Sequence, residues 1–154
     1  MRSIKQTFCL LMLGALLPMW TAVSQQSAEQ LLRQARAEFD QRRFVEAAVT
    51  ARRAREADPK LIEAWKLGGL SLQLTQDYEQ AEREFADSLK LFPGDAELWF
   101  YLARTQFLQS SLAKSAASAR RAIELKPDSA DAHTQLAMTL DAMNDGETSL
   151  QHFR

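Results

Sequence analysis

Pro59, Pro93 and Pro127 are spaced 34 apart, and they are the only prolines after Pro18. Trp65 and Trp99 keep the same spacing, whose next step lands on His133. Gly69, Ala103 and Ala137 form another such series, and Ala81 follows Ala47 at the same interval. The stretches before the prolines also agree: Ala54-Arg55-Glu56-Ala57-Asp58, Ser88-Leu89-Lys90-Leu91-Phe92 and Ala122-Ile123-Glu124-Leu125-Lys126. A fixed period of this length marks a solenoid, because a single unit cannot bury its own apolar stripe and must stack on copies of itself. A helical bundle with chance periodicity would not put prolines, tryptophans and small residues on one ladder.

Within one unit the spacing is helical. Trp65, Gly69 and Leu72 lie four and three apart, on one helix face, and Ala81, Phe85 and Ser88 make the matching stripe on the next helix. A small residue opposite an aromatic lets two helices approach, and the ring fills the gap. Thr75-Gln76-Asp77, Gln109-Ser110-Ser111 and Asn144-Asp145-Gly146 are polar breaks expected to join the two helices of each pair. Each proline disfavours helix in the residue before it and ends the unit. Asp95, Asp128 and Ser129 stand where N-caps are wanted, and Ser27 with Gln30 spells a capping box. With only 5 Gly and 4 Pro in 154 residues, hairpins are poorly provided for. The expected fold is all-α, an α-solenoid of antiparallel helix pairs, with Trp65 and Trp99 largely buried between paired helices.

This unit resembles the tetratricopeptide repeat. The unit at 62–95 carries Trp65, Gly69, Tyr78, Ala81, Phe85 and Pro93, and departs from the family pattern at Gly68, where Leu is usual. The unit at 96–129 carries Trp99, Leu102, Ala103, Ala122 and Pro127, with Ser115 and Ala119 replacing the usual Ala and aromatic. The unit at 28–61 is weaker at Leu31 and Ala35, then good at Phe44, Ala47, Ala54 and Pro59. The fourth, 130–154, has His133, Leu136 and Ala137, then Ser149 and Phe153. That makes about 3.5–4 repeats over residues 28–154.

The resemblance implies a protein-binding scaffold in which the first helix of each pair lines a concave groove. The groove positions carry over as Leu32, Arg36 and Phe39; Glu63, Lys66, Leu70 and Gln73; Glu97, Phe100, Arg104 and Phe107; and Thr134, Met138 and Asp141. Of these, Arg36, Phe39, Lys66, Leu70, Phe100, Arg104, Phe107 and Met138 form the candidate peptide site. Three cations beside exposed aromatics suit an acidic segment with apolar anchors. The family's carboxylate clamp uses Lys and Asn. Here Leu32 and Arg36 occupy those places, with Leu67 and Glu97 at further clamp positions, so recognition of chaperone tails is not expected.

Residues 1–24 stand apart. Arg2 and Lys5 precede an apolar run, Phe8 to Leu17, that Pro18 ends before the small residues Thr21-Ala22-Val23-Ser24. This is the layout of a secretory signal peptide cleaved after Ser24, with the repeat array at 25–154. The run falls short of the ~20 residues needed to span a bilayer. The other possibility is an uncleaved anchor reaching Val23, which would be the chain's only contact with membrane. Cys9 lies inside the run without the context of a lipoprotein cysteine. Removing Arg2 and Lys5 takes 19 basic residues to 17 against 20 acidic ones, a net charge of −3, and leaves no cysteine. A cysteine-free chain suits an oxidising periplasmic or secreted location in the bacterial envelope.

No chemistry-bearing constellation emerges. Near-balanced charge argues against nucleic acid. Arg52, Arg53 and Arg55, among Glu46, Glu56 and Asp58, read as a charged outer helix face, and Glu79, Glu82 and Glu84 as solvated surface. His133 takes the place of a bulky packing residue, His152 is expected to be solvated, and Gly68-Gly69 is mid-helix rather than a phosphate loop. No catalytic residue, cofactor or metal ligand is assigned. Arg154 falls inside the second helix of the fourth repeat, with no polar cap after it. The expectations are therefore a longer chain or self-association through the uncapped repeat. The alternative function is an adaptor region at the front of a larger exported enzyme whose catalytic domain lies beyond residue 154.

Overall fold

The structure, a computed structural model, describes residues 26–152, with side chains as far as Asn144; the expected signal peptide at 1–24 and Phe153 lie outside the described residues. The described residues form helices and turns without strands: α1 (Ala28–Asp40), α2 (Phe44–Ala57), α3 (Ile62–Leu74), α4 (Tyr78–Leu91), α5 (Ala96–Leu108), α6 (Leu112–Leu125) and α7 (Ala130–His152). From α3 to α7, each helix begins one full period after its counterpart in the preceding unit. Among the described residues no helix is long and apolar enough to cross a membrane.

Short sequence signals set the helix ends. Ser27 and Gln30 form the expected capping box. The carboxylates of Asp77 and Asp95 accept from the N–H groups of Gln80 and Leu98, and the Ser129 hydroxyl accepts from Ala132. The turns inside each pair place Arg42, Gln76 and Ser110 at φ of 61°, 64° and 60°. Each following N–H reaches back five places, as in Arg43 to the Glu38 carbonyl, Asp77 to Leu72 and Ser111 to Gln106. This is a Schellman ending built without glycine.

The turns between pairs explain the proline–tryptophan ladder. Asp58–Leu61, Phe92–Asp95 and Lys126–Ser129 each close with an N–H···O bond of 3.1 Å, with proline in second place where its fixed φ fits. The proline carbonyl then accepts an aromatic N–H from six residues on. Trp65 Nε1 donates to Pro59 at 3.0 Å, Trp99 Nε1 to Pro93 at 3.0 Å, and His133 Nε2 lies 2.9 Å from the Pro127 carbonyl. A ring that reaches the turn cannot also be sunk between helices. Trp65 and Trp99 are therefore half-buried rather than largely buried, and His133 is exposed.

Small residues set the helix spacing. Ala35, Ala47, Ala51, Ala54, Ala81, Ala103, Ala119 and Ala122 are fully buried. In the second unit Phe85 fills the gap and lies against Gly69, where a Cβ would stand only 2.3 Å from the ring. Phe85 stacks on Tyr101 with centroids 5.6 Å apart, amid Leu72, Leu89, Leu98 and Leu102.

Gly68, the departure from the family pattern, has a partner across the layer. A Cβ there would lie 3.1 Å from Oε1 of Glu84. Glu84 is buried and pairs with Arg55 of α2, whose guanidinium also sits 4.3 Å above the Trp65 ring. Neither residue is the solvated surface charge that helical spacing implies. Burial pushes the Glu84 carboxyl above its usual range, and the charge of Arg55 only partly offsets this.

The fourth unit differs from expectation. Asn144-Asp145-Gly146 makes no turn, and α7 runs unbroken from Ala130 to His152. A left-handed residue costs about 1–2 kcal/mol when it carries a Cβ. In the first three units the docking of the second helix offsets that cost. A polar tripeptide by itself does not stop a helix.

Candidate functional site

The first helices pack side by side in the order α1, α3, α5, α7, and the second helices lie behind them. Their free face is the concave groove. Where α3, α5 and α7 meet, it deepens into a cavity of about 440 Å³ lined by Gln73, Leu74, Phe100, Arg104, Phe107, Leu108, Asp131, Thr134, Gln135 and Met138. Leu74, Leu108 and Met138 are 47, 43 and 50% exposed. Phe100 and Phe107 are half-buried. Phe100 also borders a smaller recess of about 270 Å³ with Glu97, Lys126 and Asp131, so the groove turns polar towards the helix N-termini.

Of the candidate groove residues, this cavity gathers Phe100, Arg104, Phe107 and Met138, together with Gln73 and Thr134. The others are engaged elsewhere. Phe39 packs edge-on against Phe44, and Leu70 is half-buried on α3 outside the cavity lining. Arg36 reaches Glu63 at 3.7 Å. The Lys66 side chain is only 12% exposed, and its ammonium lies 3.1 Å from Asp95 and 2.5 Å from Glu97. Burial works against that charge, but the two carboxylates outweigh it and hold Lys66 above its usual pKa. Glu97 is likewise desolvated, yet Lys66 and the Tyr101 hydroxyl, which donates to it at 2.7 Å, hold its carboxyl below the usual range. Of the three groove cations, Arg104 alone takes no ion pair among the described residues.

A polar layer supports the cavity floor. Gln73 Nε2 donates to the Tyr101 carbonyl at 3.1 Å and to the Thr105 hydroxyl at 2.5 Å, while its Oε1 has no partner among the described residues. On α7, Gln135 Nε2 donates to Thr139, whose hydroxyl meets Ser115 of α6 at 2.9 Å. These bonds tie α3 to α5 and α7 to α6. Leu74 and Leu108 were not among the expected groove residues. The available signal was their recurrence, one period apart, at the last positions of α3 and α5. Among the described residues, no three His, Cys, Asp or Glu gather as a metal site would need.

The Tetratricopeptide repeat family profile matches residues 67–130. No curated protein matches the chain by sequence. Among solved structures, MamA from Desulfovibrio magneticus RS-1 (residues 41 to the end) superposes with a TM-score of 0.72 at 19% identity, over 84% of this chain and 73% of that one. The first TPR domain of human RPAP3 gives 0.75 at 18% identity, over 81% and 98%. The first TPR of Spaghetti (RPAP3), bound to the HSP90 peptide SRMEEVD, gives 0.73 at 19%, over 79% and 97%. At these identities the likeness is one of fold. Residues 67–130 match the tetratricopeptide-repeat profile, and the described chain takes the fold of a tetratricopeptide-repeat solenoid.

Proposed function

We propose that the groove holds a segment of another polypeptide in the cavity between α3, α5 and α7, and that the chain is a non-catalytic scaffold or adaptor. The observation that carries this is the cavity itself: a large apolar recess with three exposed aliphatic side chains and a cation, Arg104, that takes no ion pair among the described residues. Leu74, Phe100, Phe107, Leu108 and Met138 would seat one or two apolar anchors, and Arg104 would meet an acidic residue beside them. The peptide-bound neighbour supports a polypeptide ligand on this fold. The clamp positions, filled by Leu32, Arg36, Leu67 and Glu97, favour a ligand other than a chaperone tail. The leader at 1–24 supports export and a place for the 25–154 array in the bacterial envelope or outside the cell.

The test is capture from envelope extract by the unmutated chain and by a Phe100→Ala/Phe107→Ala variant, followed by affinity measurement on the partner recovered. The double truncation should weaken binding by ~2 kcal/mol or more, a hot-spot loss of roughly 30-fold. Arg104→Ala should act mainly on the on-rate and its salt dependence. Equal capture by both proteins would show that the groove is not the site. Intact mass of the exported chain tests the leader: processing predicts a first residue of Gln25, and a chain retaining residues 1–24 refutes cleavage.

A further inference from the structure

Every first helix carries an acid in its first turn: Glu29, Glu63, Glu97 and Asp131 stand one period apart. Where two first helices meet, a cation of the earlier one takes the acid of the later. Arg36 of α1 reaches Glu63 of α3 at 3.7 Å, and Lys66 of α3 reaches Glu97 of α5 at 2.5 Å. The third junction, between α5 and α7, breaks the series. Phe100 holds the place of Lys66 there and has no charge to offer. Arg104 holds the place of Arg36, but the acid across from it is aspartate, one methylene shorter than its counterparts. Arg104 and Asp131 both line the cavity, and neither takes an ion pair among the described residues.

These two departures coincide at the cavity. Phe100 gives it an aromatic wall where the second junction has an ion pair, and the short Asp131 side chain leaves a cation on the α5 wall and an anion on the α7 wall. Such charges cost little while water reaches them, but each needs a counter-charge once a ligand excludes that water. A wholly acidic segment would satisfy Arg104 and be repelled by Asp131. Net charge gives no bias either way. Around the mouth Lys66, Arg104 and Lys126 balance Asp95, Glu97 and Asp131, with Lys126 exposed on the rim of the smaller recess.

Resting on the groove reading above, we infer that the bound segment carries both signs of charge, an acidic residue that meets Arg104 and a basic residue that meets Asp131, on either side of its apolar anchors. Asp131 is thereby a specificity-determining residue of the groove, because it rejects the wholly acidic segments that Arg104 alone would accept. The two charges also set the direction in which the segment lies, since turning it round would bring like charges together.

The test is selection of a phage-displayed library of random peptides on the full chain, followed by fluorescence anisotropy with a selected peptide. Selected peptides should carry an acidic and a basic residue flanking apolar ones. Against such a peptide, Asp131→Lys and Arg104→Glu should each weaken binding about 10-fold or more. Replacing the peptide's basic residue by glutamate should restore most of the loss in Asp131→Lys and none in Arg104→Glu, a coupling that a merely structural role would not produce. Asp131→Glu keeps the charge but matches the reach of Glu63, so it should pair with Arg104 and weaken binding about threefold. Circular dichroism checks that the variants stay folded. Two results would overturn this inference while binding is still lost in Phe100→Ala/Phe107→Ala, which leaves the groove reading standing: selected peptides of a single sign or without charge, or a peptide that binds Asp131→Lys as tightly as the unmutated chain. Peptides that bind the Phe100→Ala/Phe107→Ala variant undiminished would overturn both.

Discussion

Gly69→Ala adds one methyl group where α3 lies against the Phe85 ring of α4. The new Cβ would stand 2.3, 2.5 and 2.8 Å from Cζ, Cε1 and Cε2 of Phe85. Carbon atoms in ordinary contact keep about 3.5–4.0 Å, so α3 and the ring must separate by roughly 1 Å. Phe85 is fully buried among Leu72, Ala81, Leu89, Leu98 and Leu102 and stacked on Tyr101, which leaves it nowhere to go. Overpacking of this kind costs about 1–3 kcal/mol. The higher helix propensity of alanine returns about 0.5–1 kcal/mol. The net expectation is a loss of ~1–2 kcal/mol, a fall in melting temperature of roughly 3–8 °C by circular dichroism. Two controls sharpen it. Gly94→Ala, with nothing within 4 Å of its Cβ, should leave the melting curve in place. In a Phe85→Leu background the alanine should become neutral or stabilising, a coupling of about 1 kcal/mol or more. If Gly69→Ala stabilises the unmutated background by the propensity amount, the close contact does not govern this helix pair.

Arg55→Ala should cost about 3–5 kcal/mol at neutral pH, because it strands the buried Glu84 carboxylate. Glu84 already titrates above 4.5 in the folded chain, so its contribution is complete below its unfolded pKa and is lost as pH rises through the folded one. The variant's deficit in urea titrations should therefore shrink as pH falls towards 4.5, and a pH-independent deficit would rule out a stranded carboxylate. Trp99→Phe keeps most of the ring and loses the bond to Pro93, for which about 1 kcal/mol is expected in thermal melts. Gln76→Gly should raise the melting temperature, since φ is 64° there and relief of left-handed strain outweighs the added chain entropy by about 0.5–1 kcal/mol. For Glu97, held below 4.5 by Lys66 and Tyr101, stability should be full above 4.5 and decline as pH drops through its folded pKa; a Lys66→Met variant should lose that acid-side decline.

The groove was half legible. Phe100, Arg104, Phe107 and Met138 recur at fixed places in a helix pair, and stacking brings such places onto one surface. Lys66 sits at an equally regular place, yet Asp95, which caps α5, and Glu97 in the first turn of α5 neutralise it. That pairing depends on how one unit leans on the next, which no period encodes. The same holds for Gln73, whose hydrogen bonds to Tyr101 and Thr105 cross from α3 to α5.

What the sequence determined alone was everything governed by residues a few places apart. The repeat period, the helix starts, the capping box at Ser27, the Asp95 cap and the turn at each proline all follow from local sterics and hydrogen bonding. Tertiary structure decided what depends on neighbours distant in the chain. The carbonyl of Pro59 holds Trp65 half-exposed at the turn. Gly68 vacates the space in which Arg55 and Glu84 meet beneath α3, burying one charge and half-burying another that both read as surface. Asn144-Asp145-Gly146 stays helical where three similar tripeptides turn, because a left-handed turn forms only where the docking of the following helix outweighs its strain. Burial and docking are properties of stacked units, so they appear only when the units are in place.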